Sequence, residues 1–278
     1  MTAFSTLNAL PAELLANLDE LGYHSMTPVQ AAALPAILEG KDVRVQAQTG
    51  SGKTAAFGLG LLQHIDASQF VTQSLVLCPT RELADQVAKE LRRLARYLPN
   101  IKILTLCGGV PFGAQRDSLQ HAPHIIVATP GRLLDHLEKA TVTLDALKTL
   151  VLDEADRMLD MGFSDAIDAI LRHAPERRQM LLFSATWPAA IAAISTRFQR
   201  DPQTIEIDSV EALPAVEQHF YEVSRREKIP LLLSLLSKHQ PASCVVFCNT
   251  KKDSQEVCDA LNERNQSALA LHGDMEQR

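Results

Sequence analysis

Seven apolar runs of strand length, separated by segments of helical periodicity, constrain the fold of this chain more than any other feature. The runs are Val43 to Gln46, Leu75 to Cys78, Ile101 to Leu106, Ile125 to Ala128, Thr149 to Leu152, Met180 to Phe183 and Thr204 to Ile207. Between them, Leu83 to Leu98 sets Leu83, Val87, Leu91 and Leu94 at helical spacing, and Gly131 to Leu137 follows a Thr-Pro turn with Leu133, Leu134 and Leu137. Strands apolar on both faces must be covered on both faces, which predicts an α/β fold with a parallel sheet between helical layers. In such a sheet ligands bind beyond the carboxyl ends of the strands.

The polar motifs of the chain fall at those ends. Ala47-Gln48-Thr49-Gly50-Ser51-Gly52-Lys53-Thr54 follows the run Val43 to Gln46. A strand entering a glycine-rich turn and then a helix surrounds phosphate oxygens with backbone N–H groups and the helix N-terminus, while Lys53 reaches the outer phosphates. The Thr54 hydroxyl is a ligand for Mg²⁺. The strict phosphate-loop pattern has glycine where this chain has Ala47, so the match is imperfect on its own. The apolar run Thr149 to Leu152 ends in Asp153-Glu154-Ala155-Asp156. Three carboxylates within four residues repel one another unless a cation neutralises them, so a metal is expected here. Asp153 would hold it through water, and Glu154 would orient an attacking water. Together the two motifs point to ATP or another nucleoside triphosphate with Mg²⁺.

Other candidates are ambiguous when taken singly. Gln30 offers a donor and an acceptor that match an adenine edge, yet Thr27-Pro28 before it also reads as a capping turn. Ser184-Ala185-Thr186, after Met180 to Phe183, can bond carboxylates such as Asp156 or start a helix. Pro79-Thr80-Arg81, Gly108-Gly109 and Thr129-Pro130-Gly131-Arg132 supply hydroxyls, N–H groups and arginines of the kind that bind phosphate and sugar without reading bases. Each is equally a helix-start signal.

Composition sets wider limits. Net charge is −6, from 27 Lys and Arg against 33 Asp and Glu, and the basic clusters are short (Arg92-Arg93-Arg96, Arg177-Arg178, Arg225-Arg226-Lys228). That argues against a nonspecific polyanion binder. The five cysteines form no C-x-x-C pair and read as reduced core thiols. No apolar stretch reaches membrane-spanning length, and no leader pattern opens the chain, so a cytoplasmic protein without a membrane partner is expected. Asp208 to Pro214 is short, polar and ends in proline, which divides the chain into a first domain over 1–208, a linker over 209–215 and a second α/β segment over 216–278. In the last segment Gln218 to Val223, Cys244 to Asn249 and Ala268 to His272 read as strands, with helices over Lys228 to Lys238 and Lys252 to Arg264.

The order of these motifs resembles the DEAD-box RNA helicase family. Gly22-Tyr23, Thr27 to Gln30, the phosphate loop, Pro79 to Ala84, Gly108-Gly109, Thr129 to Arg132, Asp153 to Asp156 and Ser184 to Thr186 stand in the family's sequence. Within it, Cys107 to Gly109, Val151 to Asp160 and Phe183 to Trp187 are most similar to one bacterial type. The resemblance implies two RecA-like domains, the second incomplete here. It implies that Tyr23, Thr27 and Gln30 select ATP, and that Ala47 to Thr54 bind it. It further implies that Lys53, Asp153 and Glu154 are catalytic, that Thr54 and Asp153 serve the metal, and that Asp156, Ser184 and Thr186 couple the two activities. RNA, as a single strand or short duplex, would be held by its backbone through Pro79, Thr80, Arg81, Gly108, Gly109, Thr129 to Arg132 and Thr250. Ribosomal RNA or a pre-ribosomal particle is the implied target, and a monomer the implied state. The family's arginine fingers would fall past Arg278, so this chain is expected to bind ATP with little RNA-stimulated hydrolysis. A noncatalytic ATP-dependent RNA clamp is the alternative reading.

Overall fold

The computed structural model describes residues 2–7, 9–207 and 217–275. The chain divides into two compact units, Met1–Glu211 and Ala212–Arg278; the linker expected over 209–215 lies outside the described residues.

The first unit opens with α1 (Ala12–Glu20) and α2 (Pro28–Leu38). Alternation then begins: β1 (Val43–Gln46), α3 (Lys53–His64), β2 (Ser74–Leu77), α4 (Arg81–Leu94), β3 (Ile103–Leu106) and α5 (Phe112–Ser118). It continues through β4 (Ile125–Ala128), α6 (Pro130–Glu138), β5 (Thr149–Leu152), α7 (Ala155–Asp160), α8 (Ser164–His173), β6 (Gln179–Ser184), α9 (Ala189–Phe198) and β7 (Gln203–Glu206). All seven expected strands are present: β1, β4 and β5 have the expected bounds, and the other four are displaced by one or two residues at their ends. They pair in the order β3-β4-β2-β5-β6-β1-β7, and every pair is parallel.

The near-continuous apolar strands serve two cores. Successive side chains of a strand point to opposite faces. Val76, Val127, Val151, Leu181 and Phe183 accordingly join a core with α1 to α4. Their neighbours Leu75, Leu77, Ile126, Leu150, Leu152, Met180 and Leu182 join a second core with Leu133, Met158, Ile167, Ile170 and Ile191 from the helices opposite. All these side chains are buried, and the phosphate-loop and Asp153 to Asp156 motifs lie beyond the carboxyl ends of β1 and β5.

The second unit contains α10 (Lys228–His239) and α11 (Lys251–Asn262). A short 3₁₀ turn, Arg225–Glu227, precedes α10, with a reciprocal cap between Ser224 and Glu227. The three segments expected as strands differ from that reading, since none forms a strand among the described residues. Their apolar pattern supplies propensity but not ladder partners, and a strand exists only through its neighbours. Phe247 is 93% exposed and Leu269 91%. All five cysteines are free thiols; Cys78, Cys107 and Cys258 are buried, whereas Cys244 is exposed, against the core position expected of it.

Candidate active site

Parallel pairing brings the carboxyl ends of β1, β5 and β6 side by side. Ala47 N–H donates to Ser184 O at 3.0 Å, which ties the start of the phosphate loop to the end of β6. Within the loop, Ser51 Oγ donates to Gln48 O at 2.7 Å and Lys53 Nζ to Ala47 O at 3.0 Å. Gly52 has φ +92°, and a Cβ there would lie 2.6 Å from Gln30 Nε2. The positive φ requires glycine, and the contact means that any side chain would displace Gln30.

Thr27 caps α2 in a reciprocal box with Gln30. Gln30 Oε1 accepts from Thr27 N–H at 2.9 Å, and its Nε2 donates to Gly52 O at 3.1 Å. The capping reading of Thr27-Pro28 is therefore realised, and Gln30 is buried and braces the phosphate loop. One N–H of its amide remains available to a ligand, because a primary amide carries two. Tyr23 stands beside it, edge-on to Phe4, with its hydroxyl donating to Glu90 Oε1 at 2.5 Å. Burial first, and the Glu90 hydrogen bond second, push the phenol up to about 12.

A pocket of about 280 Å³ gathers Tyr23, Gln30, Thr49, Gly50, Gly52, Lys53, Thr54, Asp153 and Glu154. Leu83 and Glu90 of α4 also line it. Sequence reading missed both, because nothing local marks a helix position as facing a loop that lies more than thirty residues earlier. Arg157, three residues after Glu154, was missed as well. Its Nη1 donates to Glu154 Oε2 at 2.6 Å, while Thr49 Oγ1 donates to Glu154 Oε1 at 3.1 Å. Glu154 itself sits in the left-handed region at φ +52°, a strained setting for a non-glycine residue at the turn into α7.

Asp153 is 3% exposed, and its Oδ1 has no hydrogen-bond partner. Burial raises its carboxyl from 3.8 to about 6, with Lys53 opposing and Glu154 and Asp156 adding to the rise. A buried carboxylate oxygen without a donor is costly unless a cation serves it, so the residues present fit Mg²⁺. Among the described residues no group of three or more His, Cys, Asp or Glu could cage a metal. Asp153 and Thr54 are the residues that would hold Mg²⁺, with nucleotide and water supplying the remaining oxygens.

The sign of the Asp153 shift gives a testable consequence. A carboxyl raised on folding binds a proton that the unfolded chain has already released. Its contribution to stability is complete below pH 3.8 and is lost as pH rises through about 6. Without nucleotide, the thermal midpoint of the wild type minus that of Asp153→Asn should fall between pH 4 and 6. A pH-independent difference would contradict the buried, uncompensated carboxyl.

At the end of β6, Thr186 donates to Asp156 Oδ2 from its N–H at 2.9 Å and from Oγ1 at 2.8 Å. Ser184 Oγ accepts from Asp156 N–H at 3.3 Å. Burial alone would raise the Asp156 carboxyl, but the donors from Thr186 and Ser184 outweigh it and hold the group below its ordinary value.

The remaining candidates follow the other half of the sheet. Pro79 to Arg81 continue from β2, Gly108 and Gly109 from β3, and Thr129 to Arg132 from β4. Thr80 Oγ1 accepts from Leu83 N–H at 3.2 Å as the cap of α4. Arg132 Nη1 donates to Val110 O at 2.7 Å and to Gln115 Oε1 at 2.8 Å, so its guanidinium braces the loop after β3. Thr250 belongs to the second unit, where its Oγ1 caps α11 by accepting from Asp253 N–H at 3.0 Å.

A phosphate cradle and a buried Asp-Glu pair at the carboxyl edge of an all-parallel sheet define a RecA-like nucleotide-binding domain. Residues 27–194 match the DEAD/DEAH box helicase family, and the chain belongs to that family. It is 80% identical over all 278 residues to "ATP-dependent RNA helicase DbpA" of Escherichia coli (strain K12), covering 61% of that protein's length. It is 44% identical over the same residues to "DEAD-box ATP-dependent RNA helicase CshA" of Bacillus cereus, covering 53% of that relative. A crystal structure of a DEAD box protein from Methanococcus jannaschii is similar at a TM-score of 0.72 and 35% identity, over 99% of this chain and 74% of that one. The DbpA type is the bacterial type that Cys107 to Gly109, Val151 to Asp160 and Phe183 to Trp187 resemble. The chain thus spans between half and two thirds of the length of these curated relatives.

Proposed function

We propose that this chain is the nucleotide- and RNA-binding portion of an ATP-dependent RNA helicase. The observation that carries this reading is the meeting, in one pocket, of Lys53, Thr54, Gln30 and a buried Asp153 with an unpartnered oxygen. Gly50, Ser51, Gly52 and Lys53 surround the phosphates, and the free N–H of the Gln30 amide meets the adenine edge beside the Tyr23 ring. Mg²⁺, when bound, neutralises phosphate charge. Glu154, held in place by Thr49 and Arg157, accepts the proton of the attacking water. Asp156 transmits the state of this site to Ser184 and Thr186 at the end of β6. The N–H groups, hydroxyls and arginines beyond β2, β3 and β4 grip RNA by its backbone, a mode of binding indifferent to sequence.

We take ribosomal RNA or a pre-ribosomal particle as the target, as the family resemblance implies. We also take the protein to be cytoplasmic and monomeric; among the described residues no helix is long and apolar enough to cross a membrane. Titration with ATP and GTP in the presence of Mg²⁺ tests the nucleotide half of this reading. ATP should bind more tightly, and Gln30→Ala should both weaken binding and erase the preference, because its amide serves the base and Gly52 O alike. Equal affinity for the two nucleotides in the unaltered chain would refute adenine recognition.

A further inference from the structure

The loop after β3 is fixed by a buried polar cluster that the nucleotide site does not use. Gln115 of α5 is 5% exposed and His136 of α6 is fully buried. Gln115 Nε2 donates to Cys107 O at 2.8 Å, immediately before Gly108. Its Oε1 accepts from Arg132 Nη1 at 2.8 Å and lies 3.1 Å from His136 Nε2. The same Arg132 nitrogen donates to Val110 O, immediately after Gly109. Both carbonyls flanking the Gly108-Gly109 pair are therefore tied to one amide, one directly and one through Arg132.

The amide assigns the imidazole tautomer. With Nε2 of Gln115 committed to Cys107 O, its Oε1 can only accept, so His136 carries its proton on Nε2. His136 Nδ1 lies 2.7 Å from Thr141 Oγ1, whose hydroxyl also lies 3.0 Å from His136 O; in this tautomer the hydroxyl points to Nδ1, and Thr141 N–H still serves His136 O. Burial, with Arg132 and Lys139 adding to it and Asp135 opposing, holds the imidazole below its ordinary value and keeps the ring neutral near pH 7. Phe112 stacks on the ring, with centroids 4.3 Å apart and planes 15° from parallel, and Lys139 Nζ lies 4.2 Å from the Phe112 centroid.

The glycine pair faces the other way. Among the described residues neither Gly108 nor Gly109 donates its N–H to a backbone carbonyl. No atom lies within 4 Å of a Cβ built at Gly108, whereas one at Gly109, where φ is +81°, would lie 2.6 Å from Arg81 Nη1. The loop thus offers open peptide groups on one side, a guanidinium beside them, and a rigid mount behind.

We propose that Gln115 and His136 are positioning residues for RNA binding: they touch no ligand, but they fix the Gly108-Gly109 peptides in the orientation that receives the RNA backbone. The proposal rests on reading those glycines as an RNA contact. In Gln115→Glu the side chain keeps its shape and still accepts from Arg132, but it sets an oxygen against Cys107 O. RNA affinity should then fall about tenfold, with ATP affinity unchanged. His136→Leu should do the same. His136→Gln, whose terminal amide can place an N–H where Nε2 stands, should recover most of the loss.

The measurement is amide NMR on the 278-residue chain, titrated with a short single-stranded oligouridine in the presence of a nonhydrolysable ATP analogue. The Gly108 and Gly109 amides should shift on adding RNA to the unaltered chain, and should already be displaced in Gln115→Glu and His136→Leu before RNA is added. If RNA leaves both amides unmoved in the unaltered chain, the reading of this loop as an RNA contact fails, and the proposal with it. If RNA shifts them there but Gln115→Glu and His136→Leu bind RNA as tightly as the unaltered chain, the contact stands and the positioning role is overturned. A His136→Gln variant as weak as His136→Leu, with an unchanged thermal midpoint, would also overturn it.

Discussion

Glu154→Gln should lower RNA-stimulated phosphate release by about 10²–10⁴ while leaving ATP affinity unchanged. A glutamine amide matches the carboxylate in shape but cannot take a proton from water, and a positioned general base contributes a factor of that order. The local geometry sharpens the expectation. Both carboxylate oxygens already have donors, Thr49 at 3.1 Å and Arg157 at 2.6 Å, so the substitution removes an ion pair as well as a base. Because Arg157 is largely exposed, that pair adds little to stability, and the fold should persist. The assay belongs in whichever form of the protein turns over ATP, the 278-residue chain or one extended to the length of its relatives. Phosphate release by the variant at the unaltered rate would remove Glu154 from the mechanism.

Lys53→Ala should weaken ATP binding on the order of a hundredfold, the loss that follows from removing charge-assisted hydrogen bonds to phosphate. Two structural effects accompany it. Ala47 O loses its donor at 3.0 Å, and Asp153 loses the cation that opposes the rise of its carboxyl. The proton that Mg²⁺–nucleotide binding must displace from Asp153 is then held more tightly. The defect should therefore be greater at pH 6 than at pH 8 when both are measured by titration calorimetry. An unchanged affinity would mean that the loop from Ala47 to Thr54 does not hold the phosphates.

The first unit was legible in the sequence because its signals are local. A strand buried on both faces is nearly all apolar, so β4, and β2 and β5 after their opening Ser74 and Thr149, declare themselves by composition. A phosphate loop is marked by glycines needed for their own backbone angles. What could not be read was contact across sequence distance: Glu90 beneath the Tyr23 hydroxyl, Gln30 against Gly52 O, and Gln115 between Arg132 and His136. In each case a polar side chain on a helix looks like a solvated face until the fold supplies its partner. The second unit shows the converse error. Cys244 to Asn249 and Ala268 to His272 have strand-like composition, but a strand also needs a neighbour, and composition carries no information about one.

The order β3-β4-β2-β5-β6-β1-β7 divides the working edge between two tenants. The phosphate loop, the Asp-Glu pair and the Ser184 to Thr186 motif follow β1, β5 and β6, and the loops proposed to hold RNA follow β2, β3 and β4, although Leu83 and Glu90 of α4 reach back to the nucleotide pocket. The frontier is a single ladder, β2 against β5, where Asp153 N–H donates to Leu77 O at 3.0 Å, two residues before Pro79. Cys78 alone lies between the carbonyl bonded by Asp153 N–H and Pro79, the first of the residues proposed to hold RNA. On the proposed roles, the loops beyond β3 and β4 can be exchanged to alter the cargo while the fuel supply at β1 and β5 is kept.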